Sequence, residues 1–259
     1  MLATAERAIV PARSWPMTDA RFDTFFRKLE RRDALSADER QALVEAAGEE
    51  RTFPAGSDMV REGDRPESST LIVEGFSTRY RLLSDGQRQI TAIHTPGDFV
   101  DLHSFVLKEM DHSVGALSRC RVVSFPHERL TRITEQFPHL TRVLWLMTLL
   151  DGAIHREWMV AMGRRSATQQ MAHLLCELYV RLGVVGLIRD DSFYLPITQV
   201  ELGDALGLSA VHVNRVLQEL RTENLFTWQS QIVQIVDWAG LQQRAEFDPR
   251  YLHLTNEPR

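Results

Sequence analysis

The spacing of apolar residues changes twice along the chain. Residues 21–50 read as helix, and within them Ser36 followed three residues later by Glu39 predicts a capping box that starts a second helical segment. From Thr52 to Phe125 the chain is cut by Gly and Pro about every eight to twelve residues, the spacing of short strands. Strands are expected over 58–61, 70–74, 76–83, 88–94, 98–101, 112–117 and 119–125. The runs "FSTRYRLL" and "QRQITAIH" flank "SDGQ", a hairpin signal, because Asp-Gly tolerates the positive φ of a tight turn. Short strands at this spacing predict a sandwich, barrel or jelly roll.

From Pro138 the period becomes helical. Leu140, Val143 or Leu144, Met147, Leu150, Ile154 and Met162 form a stripe on one long helix closed by Gly163. Ser166 is placed to cap the next helix, "SATQQMAHLLCELYVRLG". A loop with Asp190, Asp191 and Pro196 follows, and the end, "LFTWQSQIVQIVDWAGLQQRAEF", reads as two short strands and a helix.

Thr198 with Glu201 forms a second capping box, and Leu202, Ala205 and Leu206 give the helix it opens a buried side. "GLS" is then a turn: Gly207 takes a conformation a side chain resists, and Ser209 caps a further helix. Val213, Val216, Leu217 and Leu220 face inward on that helix, while Ala210, Val211, Asn214, Arg215 and Gln218 face outward. An outward face of this kind suits a major groove. Arg pairs bidentately with guanine, Asn and Gln pair with adenine, and Val packs on a thymine methyl. The strand pair that follows fits a wing, whose turn Gln229-Ser230-Gln231 offers no basic residue to a phosphate. The competing reading is a two-helix corner in an enzyme's helical domain. Charge favours it, because residues 164–259 hold nine Arg, no Lys and eleven acids, whereas a DNA-binding domain usually has a basic footprint. Capping box, turn and wing in that order favour DNA.

Composition narrows the classes further. The 259 residues are 44% hydrophobic and 25% charged with net charge −5, which is ordinary for a soluble protein of two domains. Lys28 and Lys108 are the only lysines, an arginine bias attributed to base composition. Cys120 and Cys176 form no CxxC pair, are too few for a four-cysteine cluster and read as inert buried thiols. The N-terminal residues contain no signal-peptide run, and Arg142 and Asp151 interrupt the most apolar stretch, so a cytoplasmic protein without a membrane span is expected.

Two patterns in series carry a resemblance. "FPAGSDMVREGDRPESSTLIVEGFSTRYR", "HTPGDFVDLHSF" and "LPITQVELGDALGLSAVHVNRVLQELRTENLF" are similar to the CRP/FNR family of bacterial transcription regulators over about residues 21–242. The resemblance implies an α+β protein with an N-terminal β jelly roll of the cyclic-nucleotide-binding kind, a long dimerisation helix and a C-terminal winged helix-turn-helix. The boundaries are a flexible arm over 1–20, a sensor domain over 21–137, the dimerisation helix over 138–163, the DNA-binding domain over 164–242 and a tail over 243–259.

The resemblance also implies roles for individual residues. The family reads bases from positions that fall on Ala210, Val211, Asn214 and Arg215, of which Arg215 alone keeps the common type. Thr198, Gln199 and Ser209 fall at phosphate-contacting positions, and His212 joins them as a phosphate candidate. The dimer seam falls on Leu140, Leu144, Met147, Asp151, Ile154 and Trp158. The effector pocket falls on Val100, Asp101, His112, Ser113, His155 and Arg156. There Val100 replaces an expected Gly, Asp101 an expected Glu, and His112-Ser113 an expected Arg-Ser. Val restricts the backbone, and His is a weaker, pH-dependent partner for a phosphate than Arg. An effector other than cyclic AMP, or a pocket filled by side chains, is therefore expected. His94, His103, His112 and His155 could converge, but no HxH or HExxH pair supports a metal or haem, so no cofactor is assigned.

The leading functional reading is a homodimeric regulator that binds a palindromic operator and answers to an unidentified small molecule, with RNA polymerase as partner if it activates. The alternatives are a cupin-like metal enzyme on the jelly roll, a haem or redox variant of the same regulator, and a cyclic-nucleotide module in a signalling assembly. The complete winged helix argues against the last.

Overall fold

The computed structural model describes residues 20–259, so the arm read over residues 1–20 lies outside the described residues except for Ala20. A 3-10 turn (Ala20–Phe22) leads into helices α1 (Asp23–Glu30) and α2 (Ala37–Ala46). Strands β1 (Glu50–Phe53), β2 (Asp58–Val60), β3 (Ser68–Glu74), β4 (Ser77–Leu82) and β5 (Arg88–His94) follow. A one-turn helix α3 (Ser104–Leu107), strands β6 (Ser113–Ala116) and β7 (Cys120–Pro126) and helix α4 (His127–Gln136) complete the first lobe. The long helix α5 (Pro138–Arg164) leads to the second lobe. There α6 (Ala167–Val184), β8 (Ser192–Tyr194), α7 (Gln199–Leu206), α8 (Ala210–Thr222), β9 (Phe226–Gln229), β10 (Ile232–Ile235), α9 (Trp238–Ala245) and a 3-10 turn (Pro249–Leu252) follow in order.

The first lobe is a two-sheet roll. One sheet runs β1-β7-β3 and the other β2-β6-β4-β5, and neighbouring strands pair antiparallel throughout. Alternation along the strands divides the core. Ile72, Cys120 and Val122 of the first sheet pack with Val60, Val114 and Ala116 of the second. Leu71, Val73, Val123 and Phe125 point the other way, onto Phe22, Phe25, Leu43, Leu130 and the start of α5.

Several elements differ from the sequence-based expectation. Strand β1 was not foreseen, and residues 98–101 are not a strand. The Pro96-Gly97 turn, with Gly97 at φ +88°, brings only Phe99 into an isolated bridge with Leu71. Helix α4 fills the interval between the last roll strand and Pro138, burying Leu130 and Ile133 at three-residue spacing. The wing has a third strand, β8, paired with β10.

Capping residues set helix starts in both lobes. Ser36, Ser166 and Thr198 each accept from the backbone N–H three residues on, and Glu39, Gln169 and Glu201 each accept from the cap's own N–H. Gly207 sits at φ +66° and ends α7, and Ser209 accepts from His212 N to start α8. Gly203 allows the turn to close, since a Cβ there would stand 2.4 Å from the Leu208 carbonyl oxygen.

Buried polar contacts fasten the two lobes together. Arg181 of α6 donates to the Ile93 carbonyl at 2.8 Å and to Asp98 at 3.0 Å in the roll, and to Glu177 at 3.0 Å on its own helix. Lys28 of α1 pairs with the same Asp98. Fully buried Glu177 also accepts from Trp158 Nε1 of α5 at 3.2 Å and from the Tyr251 hydroxyl at 2.9 Å. The expected tail folds back: Arg32 donates to the Leu252 carbonyl at 2.8 Å, and Asn256 donates to the Glu30 carbonyl at 3.0 Å. On the other side of the roll, Arg88 of β5 donates to Asp204 of α7 at 2.7 Å.

Gly203→Ala is expected to force α7 and α8 apart and to destabilise the protein by about 1–3 kcal/mol, the usual cost of overpacking. Urea unfolding read by circular dichroism checks this, with Gly207→Ala as a comparison in which the added methyl meets nothing and the cost comes from φ alone.

Candidate nucleic-acid interface and sensor pocket

Helix α8 buries Val213, Val216, Leu217 and Leu220 and leaves Ala210, Val211, Asn214, Arg215 and Gln218 in solvent. Val211 is 82% exposed, and no packing among the described residues explains so bare an aliphatic side chain. Thr198, Gln199 and Ser209 are exposed beside it, at the starts of α7 and α8, and His212 is half-buried. Both helix starts therefore open on the same surface as the outer face of α8. Asn214 Nδ2 is 3.4 Å from Gln199 Oε1, a weak contact that links the two sets. The wing turn at Ser230 and Gln231 uses positive φ at both residues, as a tight hairpin demands. The acids nearest α8 are partly engaged: Arg244 pairs with Glu219 and with Glu223.

The first lobe holds a cavity of about 480 Å³ between the roll and α5. Its lining includes Arg79 and Arg81 of β4, His103, Asp111 and His112 of the β5–β6 connection, Asp151 and His155 of α5, and Lys28, Arg32 and Arg181. Arg79 is the central cation. It donates to Asp151 at 2.8 Å and to His155 Nε2 at 2.9 Å. Burial alone would raise the Asp151 carboxyl, but the charge of Arg79, with His155 beside it, outweighs burial and holds it down at about 2. Burial, then Arg79 and His103, lower His112 to about 4, so its ring is neutral at pH 7.

Of the six expected pocket residues, His112 and His155 line this cavity. Val100 does not: it lies in the core of the roll, and its amide donates to the Thr70 carbonyl at 3.0 Å. Asp101 turns inward, where its carboxylate accepts from the Thr70 amide at 2.5 Å and the Thr70 hydroxyl at 3.1 Å. Burial raises the Asp101 carboxyl to about 7 despite those bonds. Ser113 accepts from the Glu62 amide at 3.0 Å on the far side of the hairpin, and Arg156 is exposed on α5 outside the cavity. The residues missed are Arg79, Arg81, Lys28, Arg32, Arg181 and Asp111. They come from separated segments with no shared motif, so only folding assembles them.

The expected seam residues of α5 are mostly engaged within the chain itself. Leu140, Leu144 and Met147 are buried against the roll, and Trp158, with Ile154 half-buried beside it, packs in the second lobe. Asp151 is occupied by Arg79. The unpartnered stripe is one residue round the helix. Trp145, Leu149 and Met159 are 62%, 54% and 67% exposed, and with Arg142, Gly152 and Arg156 they recur at alternating three- and four-residue intervals. The apolar pattern that the sequence shows most strongly is the one the monomer itself buries.

Burial raises both thiols, Cys120 to about 11, and Cys120 Sγ donates to the Phe76 carbonyl at 3.0 Å. Neither is poised as a nucleophile. Among the described residues His103, Asp111 and His112 alone group as ligands for a metal ion, one donor atom from each lying within 4.8 Å of the others. His103 and His112 were among the four histidines that could converge, whereas Asp111 was not foreseen, and the three have no metal-binding spacing in sequence.

A family model described as a cyclic nucleotide-binding domain matches residues 50–137, and one described as a Crp-like helix-turn-helix domain matches residues 169–244. A probable transcriptional activator of Rhizobium leguminosarum bv. viciae is 30% identical over 171 residues, covering 66% of this chain and 70% of that protein. The chain belongs to the CRP/FNR family of transcription regulators. Another relative, transcriptional activator protein FnrL of Cereibacter sphaeroides, is 27% identical over 214 residues, 81% of this chain and 86% of that protein. The solved structure of FixK2 from Bradyrhizobium japonicum superposes with a TM-score of 0.70 at 26% identity, covering 76% of this chain and 96% of that one. As a CRP/FNR protein the chain is a DNA-binding regulator and not an enzyme, and among its described residues no helix is long and apolar enough to cross a membrane.

Asp151→Asn leaves Arg79 without its carboxylate and is expected to cost about 1–3 kcal/mol at pH 7, less than for a fully buried pair because Asp151 is a third exposed. The folded-state carboxyl is depressed, so its contribution is present above the ordinary value of 3.8 and fades as pH falls toward about 2. The gap between parent and variant urea midpoints should therefore be widest near neutrality and narrow in acid.

Proposed function

We propose that this CRP/FNR regulator works as a homodimer that binds an inverted-repeat operator through the outer face of α8. The observation that carries the reading is the bare strip of Ala210, Val211, Asn214, Arg215 and Gln218 on a helix whose other side is fully packed. Arg215 is assigned to a guanine, Asn214 and Gln218 to adenine edges, and Val211 to a thymine methyl. Thr198, Gln199, Ser209 and His212 take the flanking phosphates. The small charge on this lobe fits a site in which base contacts carry much of the discrimination and phosphate contacts are few.

One recognition helix spans only a few base pairs, so two copies a helical turn apart are needed for a palindrome. The exposed stripe Trp145, Leu149 and Met159 supplies a surface for pairing lengthwise, with Gly152 letting the two helices approach. The effector enters the cavity between the roll and α5, where Arg79, Asp151 and His155 report directly to that helix. An occupant moves the equilibrium only through different affinities for two arrangements of the lobes. Cyclic AMP is a poor candidate, because the Val100 amide and the Asp101 carboxylate are spent on Thr70 and a neutral His112 stands where a fixed cation is wanted. Relatives named as transcriptional activators support activation, with RNA polymerase as the further partner.

Selection of bound DNA from a random pool tests the reading. An inverted repeat should emerge, and Arg215→Ala should relax preference at one base pair per half-site by about 1–3 kcal/mol. Added cyclic AMP should leave operator affinity unchanged. Equal weakening of every sequence by Arg215→Ala would remove the base-reading role, and recovery of no preferred sequence would remove the operator.

A further inference from the structure

The floor of the sensor cavity carries two imidazoles whose surroundings are unusual for histidines held only by packing. His112 is 7% exposed, and its Nε2 is buried with no hydrogen-bond partner. His103 Nε2 is buried and unpartnered as well. The two rings lie 5.0 Å apart between centroids, and both line the cavity. A buried polar nitrogen without a partner is costly, by about 1–3 kcal/mol, and two side by side call for a common occupant.

The geometry of the contacts says which kind. The Asp111 carboxylate sits 2.5 Å from His112 Nδ1. That contact engages Nδ1, and Nε2 is the ring nitrogen left without a partner. A carboxylate behind one ring nitrogen and an open lone pair on the other is how proteins present imidazole to a metal. The nearest competing cation does not fill the place: Arg79 is held by Asp151 and by His155 Nε2. That same bond occupies His155, which leaves the facing pair to His103 and His112.

We propose that His103 and His112 bind a divalent transition-metal ion of the imidazole-preferring class, such as zinc, cobalt or nickel, with Asp111 fixing the His112 tautomer and adding negative charge. A tetrahedral ion with metal–nitrogen bonds of about 2.0–2.1 Å needs its two nitrogens roughly 3.3 Å apart. One donor atom from each of His103, Asp111 and His112 lies within 4.8 Å of the others and the two rings are 5.0 Å apart between centroids, so side-chain rotation is needed to bring the two Nε2 atoms to bonding distance. The remaining coordination positions face the cavity and are free for water or for an anionic small molecule. The ion binds close to Arg79 and Asp151, beside α5. Metal binding itself does not depend on the proposed DNA contacts.

Titration of the chelator-treated full-length protein with Co2+, read by visible absorption and by metal analysis after gel filtration, tests the site. One Co2+ per chain is expected, with the absorption of nitrogen-bound cobalt. His103→Ala and His112→Ala should each weaken binding more than about tenfold, and Asp111→Ala by roughly 10–100-fold. His253→Ala, in the C-terminal segment, should leave it unchanged. Failure of the parent protein to take up Co2+ overturns the proposal whatever the variants do, and so does uptake that survives loss of both imidazoles. Operator selection is read separately, so a protein that binds its operator but no metal loses this inference alone.

Discussion

Helix α5 has two apolar faces, and one chain can cover only one of them. Its inner face closes both cores, with Leu140, Val143, Leu144 and Met147 on the roll and Trp158 on the second lobe. Its outer face keeps Trp145, Leu149 and Met159 in water. Burying side chains of this size is worth about 1.5–3 kcal/mol each. A stripe repeating at three and four residues is the seam geometry of paired helices. In the proposed dimer the helix that joins the two lobes would also join one copy to another.

That arrangement explains why the polar contacts sit where they do. Arg79, Asp151 and His155 tie the cavity to the middle of α5, and Arg181, Asp98 and Lys28 tie the roll to α6. Glu177 gathers Trp158, Arg181 and Tyr251 at the junction. Each of these buried charges has at least one opposite partner, although Nε of Arg79 and of Arg181 is left without one, and removing a partner is expensive while the set as a whole adds little net stability. Their effect is geometric: they fix how the reading head sits on the sensor, and anything that redistributes charge in the cavity acts on the elements that carry the head.

Much of this was legible in the sequence because it is local. Capping boxes at Ser36 and Thr198, the Ser166 cap, the turn at Gly207 and the Asp85-Gly86 hairpin depend on residues a few places apart, and each forms. Turn chemistry also outlined the roll, although the Pro96-Gly97 bend removed one expected strand and an unmarked α4 replaced an expected connection. The outer face of α8 could be read because inner and outer positions alternate with the helical period. The cavity could not. Its charged lining comes from α1, β4, α5, α6 and a loop, and two residues expected there, Val100 and Asp101, turn into the roll because Thr70 offers their backbone and carboxylate better partners. The stripe read as a seam on α5 is the one the chain itself packs, for a related reason: the sequence shows apolar periodicity but does not say which of two adjacent stripes the chain itself consumes.

Sedimentation equilibrium of the full chain, alone and as Leu149→Glu, tests the two-faced helix most directly. The account predicts a species of twice the chain mass for the parent and of the chain mass for the variant, with unchanged helix content in both. A parent that sediments as a single chain at all accessible concentrations, or a variant that stays paired, would contradict it.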